Sequence, residues 1–148
     1  MNQMTVKVLS VAGYILMVAG IVLLYFNHGL FSFSPFVTMF QAAAIGLMVW
    51  ARITFKTRSF HFAANPTEGG LVTTGPYAYV RHPIYASVLL FVWAAVAGNW
   101  SIENFLLGCV VFGGAFTRIL CEEPLVRERY PEYLQYAEKT KRLIPYIF

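Results

Sequence analysis

Residues 84–120 read IYASVLLFVWAAVAGNWSIENFLLGCVVFGGAFTRIL. Two apolar runs, 84–98 and 102–120, are separated by Gly98-Asn99-Trp100-Ser101, a tight turn in which Ser101 is an N-cap and Glu103 falls in the first helical turn, where an acid suits the helix dipole. The stretch is therefore a helical hairpin. Its first arm is too short to cross a bilayer by itself, since a spanning helix needs about 20 apolar residues. The helix is expected to start earlier, near Pro76 or Pro83, giving a membrane segment over 77–98 that pairs with a second over 102–120.

Working outward, residues 8–26 run without a charge after Lys7. At about 1.5 Å per residue they match the hydrocarbon thickness, and they are longer than the roughly 7–15-residue apolar core of a signal peptide. A further helix is expected over 35–51, opened by Ser34-Pro35 as N-cap and first-turn proline. Its Thr38 and Gln41 are read as packing hydrogen bonds to neighbouring helices. Arg52, Lys56 and Arg58 mark a return to water, and 65–70 (NPTEGG) reads as an exposed turn.

Composition agrees. The chain has 148 residues, 58% hydrophobic and only 12% charged, with no aspartate, whereas soluble domains carry about 25% charged residues. The fold class expected is all-α: one domain, 1–148, forming an integral membrane bundle of about four transmembrane helices with short helices in a cytosolic C-terminal tail, 121–148. The net charge of +4 does not indicate nucleic acid, because the basic residues flank apolar segments rather than gathering on a solvated face. Cys109 and Cys121 lie 12 residues apart, so on one helix they point about 120° away from each other. Neither has histidines at metal-ligand spacing, and no metal site is expected.

Lys and Arg are absent from the 27–34 link and the 98–101 turn, and concentrate at the N-terminus, in 52–81 and in the tail. The positive-inside rule then puts both termini and the segment before Ile84 on the cytoplasmic side, and the membrane expected is the cytoplasmic (inner) one. The tail keeps Leu125, Tyr130, Tyr133, Tyr136 and Leu143 among its charges. Disordered tails are poor in aromatics, so it is expected to fold back on the membrane face, with Pro124 and Pro131 beginning or interrupting short helices and Pro145 ending the last.

Residues 71–85 (LVTTGPYAYVRHPIY) concentrate polarity beside long apolar runs, and intramembrane polar groups need water, a partner or a ligand. The hairpin brings its own ends together, so Tyr77, Tyr79, Arg81, His82 and Tyr85 become neighbours of Arg118, Glu122, Glu123, Tyr133 and Tyr136. A pocket is expected there. The plain structural alternatives stand beside it: Arg118 with Glu122 and Glu123 with Arg127 as i, i+4 ion pairs, Arg81 and Tyr85 as interfacial anchors, and Tyr133 with Tyr136 as packing.

Gly75-Pro76-Tyr77 with Arg81-His82-Pro83-Ile84-Tyr85, then Glu122-Glu123-x-Leu125, then Tyr133-x-x-Tyr136 and a basic run before Ile144-Pro145, resemble the isoprenylcysteine carboxyl methyltransferase family in order and spacing. The resemblance covers 71–148 and leaves the first two helices without a motif. It implies a membrane methyltransferase that takes S-adenosylmethionine from the cytosol and a lipophilic or lipid-linked acceptor from the bilayer. Four helices are few to enclose a lipid tail, which admits a homodimer. The resemblance also implies that Tyr77, Arg81, His82, Pro83, Tyr85, Glu122, Glu123, Leu125, Tyr133 and Tyr136 surround the cofactor. Glu122 is the candidate catalytic acid group. Lys139, Lys141 or Arg142 would orient an acceptor carboxylate, with Lys139 nearest the place where the family has arginine. Lys lacks the bidentate fork of Arg, and Ser87 stands where family members often have glycine. Two rival readings remain at this level: NADPH-dependent reduction of a lipid double bond on a related fold, using the basic tail as a phosphate site, and a non-enzymatic membrane subunit.

Overall fold

The computed structural model describes residues 2–55 and 70–147. Lys56, Arg58 and all of the expected 65–70 turn except Gly70 lie outside the described residues. The chain forms helices α1 (Gln3–Phe26), α2 (Pro35–Phe55), α3 (Pro83–Gly98), α4 (Ile102–Arg129) and α5 (Tyr133–Lys139), with one 3₁₀ turn at Gly75–Ala78. It is an all-helical membrane bundle, as its apolar patterning requires. By length and composition α1, α2 and α4 are able to cross a membrane, while α3 is a shorter apolar helix.

Two boundaries differ from the sequence expectation. The segment expected from residue 77 splits, and α3 begins only at Pro83, so it has 16 residues and a length of about 24 Å. Pro83 disfavours the α conformation in the residue before it, and His82 accordingly sits at φ −125°, ψ 58°. At the other end α4 does not stop at Leu120 but runs through Pro124 to Arg129. Pro124 is exposed, while Cys121, one turn earlier in the helix, is buried against Val6 of α1 with Leu125 packed beside it. That packing carries the helix past the proline. Nor does Pro145 end the last helix: α5 stops at Lys139, where Thr140 turns extended.

The pairing of helices follows from their contacts. α1 packs along α4, α2 packs along α3, and α3 and α4 form the hairpin. Met17 and Leu24 of α1 join Leu89, Val92 and Val96 of α3 and Val111, Ala115 and Ile119 of α4 in one core. At the turn end, Ser101 caps α4 by accepting from the Asn104 N–H at 3.0 Å. Gln41 makes a packing hydrogen bond, donating to the Leu30 carbonyl at 2.8 Å. Ser87 is buried and its hydroxyl donates to the Ile84 carbonyl at 2.7 Å, which satisfies it inside its own helix.

Asn104 ties the two outer loops together. Its amide donates to the Asn99 carbonyl at 2.7 Å and its oxygen accepts from Asn27 at 2.8 Å. Asn99 in turn donates to Phe31 at 2.9 Å. Asn104→Ala leaves these partners unsatisfied at a buried position, so a destabilisation of about 1–3 kcal/mol is expected. The thermal midpoint of the purified protein in detergent measures it, and an unchanged midpoint would show the loops are held otherwise.

Candidate functional site

The start of α1 and the end of α4 lie on the same face of the bundle: Arg118 donates to the Ser10 carbonyl at 3.3 Å. On this face the tail is stitched to the segment before α3. Val80 and Lys141 form a parallel bridge, the Arg81 N–H donates to the Lys141 carbonyl at 2.7 Å, and the His82 N–H donates to the Arg142 carbonyl at 3.0 Å. The Tyr136 hydroxyl reaches the Tyr77 carbonyl at 2.7 Å. Gly75 makes the approach of α2 possible, because it sits at φ +59° and a Cβ there would lie 2.6 Å from Thr54 Oγ1.

Between these walls is a cavity of about 380 Å³, within the roughly 300–1,000 Å³ typical of small-molecule sites. Its lining includes Tyr77, Arg81, His82, Pro83, Tyr85, Glu122, Glu123, Tyr133 and Tyr136. Four expected site residues fall outside it. Leu125 packs toward Val6 and Cys121 on the α1 side. Lys139 is exposed at the end of α5 and Lys141 just beyond it. Arg142 meets the site at Glu123, which it grips with Nε at 3.0 Å and a second guanidinium nitrogen at 2.8 Å.

The two adjacent glutamates do different things. Glu123 is not paired with Arg127, as i, i+4 spacing on its own helix had made plausible. It holds Arg142 and also accepts from Arg81 Nε at 3.0 Å, joining the tail, the motif and α4 at one carboxylate. Arg81 continues to the carbonyls of Ala137, at 3.0 Å, and Thr140. Glu122 does form the expected pair with Arg118, at 3.1 Å. Tyr85 sits between them: its hydroxyl accepts from Arg118 Nε at 2.7 Å and donates to Glu122. The Arg118 guanidinium also lies over the Tyr14 ring, 5.3 Å from its centroid. A membrane-embedded arginine is thus matched by a carboxylate, a phenol, a carbonyl and an aromatic face, the kind of partnering such a charge requires.

Tyr85→Phe removes the oxygen that both accepts from Arg118 and donates to Glu122. The expected loss is about 1–3 kcal/mol, because Arg118 and Glu122 lose the hydroxyl they share in a largely buried position. Thermal melts of the variant against wild type in one detergent provide the comparison, and equal midpoints would mean the bridge contributes nothing.

Tyr77, Tyr133 and Tyr136 stay protonated. Burial raises the Tyr77 and Tyr133 phenols well above their ordinary value, with the Glu123 charge adding to the effect at Tyr133. Burial likewise leaves Tyr136 pushed up to about 12. At neutral pH these residues present neutral rings and O–H donors. Among the buried side-chain atoms described, His82 Nε2 and the Tyr133 hydroxyl have no hydrogen-bond partner, although His82 Nε2 lies 3.6 Å from Glu123. Both groups face the Glu123 carboxylate, close to but outside good hydrogen-bond geometry, and buried polar atoms are nearly always satisfied, so they are the cavity atoms with hydrogen-bonding capacity to spare.

Sequence reasoning missed one part of the enclosure. The first two helices carry no motif, yet α1 supplies Tyr14, Met17 and Val18 and α2 supplies Met48, Arg52 and Phe55 to the cavity. Those on α2 sit at i, i+4 and i+7, a helical face, but in a helix apolar on all sides that face does not stand out. Among the described residues, no group of three or more His, Cys, Asp or Glu side chains is placed to hold a metal.

Comparison with known proteins supplies the remaining observation. The chain is similar to the cobalt-zinc-cadmium resistance protein CzcN of Cupriavidus metallidurans, 29% identical over 76 residues, which is 51% of this chain and 35% of that protein. It is also similar to the nickel-cobalt-cadmium resistance protein NccN of Alcaligenes xylosoxydans xylosoxydans, 30% identical over 76 residues, 51% of this chain and 36% of that one. The matched region thus spans about a third of the length of these curated relatives. No solved structure matches the chain. The family model for phospholipid methyltransferases matches residues 36–133, which take in α2, the Arg81-His82 motif, the whole hairpin and Tyr133. With the helical membrane architecture and the motif-lined cavity, this match places the chain in the phospholipid methyltransferase family, among the helical membrane methyltransferases its motifs resemble.

Proposed function

We propose that the protein catalyses methyl transfer from S-adenosylmethionine to a lipophilic acceptor, in the manner of the isoprenylcysteine carboxyl methyltransferases, at the cytoplasmic face of the membrane. The observation that carries the reading is the polar end of the cavity, where Arg81, His82, Glu122, Glu123 and Tyr133 meet and two buried polar atoms lack partners. When bound, the cofactor supplies a methyl group on a sulfonium, and the carbon–sulfur bond breaks as the acceptor's lone pair takes the methyl. The chain's own contribution is binding and orientation. The faces of Tyr77, Tyr85 and Tyr136 and the Glu122 carboxylate suit cationic centres, while His82 Nε2 and the Tyr133 hydroxyl suit the polar groups of an amino acid moiety. Methyl transfer is an in-line displacement, so alignment and exclusion of water supply most of the acceleration.

The cation facing the acceptor is drawn from Arg52 and Arg118, which line the cavity, rather than from Lys139 at the exposed end of α5. Methyl transfer is favoured over lipid reduction by the family match. The positive-inside pattern of the loops supports an orientation with both termini and the cavity mouth toward the cytosol. Titration calorimetry of the purified protein with S-adenosylhomocysteine is expected to give saturable one-site binding; absence of heat at millimolar ligand would overturn the proposal.

A further inference from the structure

We propose that the C-terminal tail carries a binding site for the headgroup of an anionic phospholipid, in a bowl between the Arg81 segment and residues 139–147 that is separate from the main cavity. The site stands whether or not the main cavity takes S-adenosylmethionine.

The bowl is a second cavity of about 200 Å³, lined by Arg81, Ala137, Thr140, Lys141, Arg142 and Ile147. Among the described residues Arg81 alone lines both cavities. A volume several times the roughly 30 Å³ share of one water admits a phosphate group. The charge of the bowl is one-sided. Residues 139–147 hold Lys139, Lys141 and Arg142 and no acid. Arg81 and Arg142 share the single Glu123 carboxylate, and the exposed Lys141 enters no ion pair among the described residues. Three lining cations are thus set against one acid. The carbonyls of Ala137 and Thr140, which would repel an anion, already accept from Arg81. Arginine and lysine are the side chains that hold phosphate oxygens.

Apolar groups beside these charges identify the phosphate as a lipid's. Leu143 is 8% exposed and belongs to the core that holds Leu89, Val92 and Ile119, so the chain after it emerges at the end of the membrane bundle. There the Ile147 N–H donates to the Ile144 carbonyl at 3.2 Å and closes a turn in which Tyr146 takes φ +66°, a region that non-glycine residues rarely adopt. The turn leaves Ile144, Tyr146 and Ile147 at 51%, 85% and 76% exposure. Such side chains beside lysine and arginine suit the headgroup layer, where aromatic rings enter the interface and cations meet negative lipid. A soluble phosphate would leave all three in water.

The test uses the full chain in phosphatidylcholine nanodiscs that contain phosphatidylglycerol, part of it carrying a diazirine near the headgroup. Crosslinking is expected on the C-terminal peptide that begins at Leu143, competed by unlabelled phosphatidylglycerol and not by the same amount of added phosphatidylcholine. Lys141→Ala keeps the backbone bridge to Val80 and should lower competed labelling about five-fold, the effect of about 1 kcal/mol for one cation at an anionic surface. Ile147→Asn should lower it about ten-fold. Both positions are exposed, so thermal midpoints in lipid-free detergent should stay at the wild-type value. Lys7→Ala, which removes a cation outside the bowl, should leave labelling unchanged. Equal competition by the two lipids, or an equal loss in Lys7→Ala, would overturn the inference. Displacement of the label by inorganic phosphate would reassign the bowl to a free anion, and a crosslinked dimer without lipid label would reassign the turn to a second copy; either result removes the lipid site. Calorimetry with S-adenosylhomocysteine reads the proposed function separately, since labelling at the bowl does not require cofactor in the main cavity.

Discussion

Replacing Arg81 with alanine is expected to abolish S-adenosylhomocysteine binding and to release the C-terminal tail. Arg81, like Glu123, touches all three parts of the polar enclosure: it lies in the motif before α3, donates to Glu123 on α4, and donates to the carbonyls of Ala137 and Thr140 in the tail. The pair with Glu123 is largely buried, at 12% and 14% side-chain exposure. Removing one partner of such a pair costs about 3–5 kcal/mol, because the other charge stays buried. Arg142 still grips Glu123 in the variant, which puts the expected cost at the lower end. Even so, the loss is a sizeable part of the roughly 5–15 kcal/mol that holds a typical domain together. It falls on a segment tied to the bundle by the 80–82 bridge, the Tyr136–Tyr77 hydrogen bond, the Arg142–Glu123 pair and Leu143. Two measurements check it: the calorimetric titration, expected to show at least a hundred-fold weaker binding, equivalent to about 2.7 kcal/mol, and limited proteolysis, expected to cut near 130–142. Arg81→Lys keeps the charge and loses the fork, so it should fall between. Wild-type binding and wild-type protease resistance in Arg81→Ala would remove Arg81 from its bridging role.

What the sequence disclosed is explained by which forces leave a local signature. The hairpin was legible because its turn has an N-cap serine at Ser101 and its arms are uninterrupted apolar runs. The meeting of Tyr77, Arg81 and His82 with Glu122, Glu123, Tyr133 and Tyr136 followed from the hairpin's geometry. Glu123 was misread as a possible partner of Arg127 because helical spacing exposes only neighbours on the same helix. Its actual partners, Arg81 and Arg142, are 42 and 19 residues away and arrive through tertiary folding. Lys139 illustrates the limit of reasoning by position: it stands near where a family arginine is expected, yet the turn to extended chain at Thr140 leaves it outside the cavity and directs Arg142 to Glu123 instead. The walls supplied by α1 and α2 were invisible for a different reason. Tyr14, Met17, Val18 and Met48 differ from their lipid-facing neighbours in what they touch, not in polarity, and a helix that is apolar all round gives no periodic contrast.

The role of α1 leads to the second large effect, which concerns Gly114. A Cβ added there would lie 2.5 Å from the Gly13 carbonyl oxygen, 2.7 Å from the Met17 nitrogen and 3.1 Å from its Cα, and one added at Gly13 would lie 2.8 Å from the Gly114 oxygen. All of these neighbours are backbone atoms, which cannot rotate away as a side chain does. Close backbone approach through small residues is how membrane helices gain packing energy where lipid offers no hydrophobic drive. Gly114→Ala must therefore push α1 off α4, and overpacking of this kind costs about 1–3 kcal/mol, here toward the upper figure. The displacement also carries function. α1 brings the Ser10 carbonyl and the Tyr14 ring to Arg118, and Arg118 holds Tyr85 and Glu122. Gly113→Ala is the control, since a Cβ at the adjacent position meets nothing within 4 Å. The expected result is a lowered thermal midpoint and weakened S-adenosylhomocysteine binding for Gly114→Ala, with both unchanged for Gly113→Ala. If the two variants behave alike, α1 does not depend on this contact, and its place as a wall of the cavity must rest on the Arg118 interactions alone.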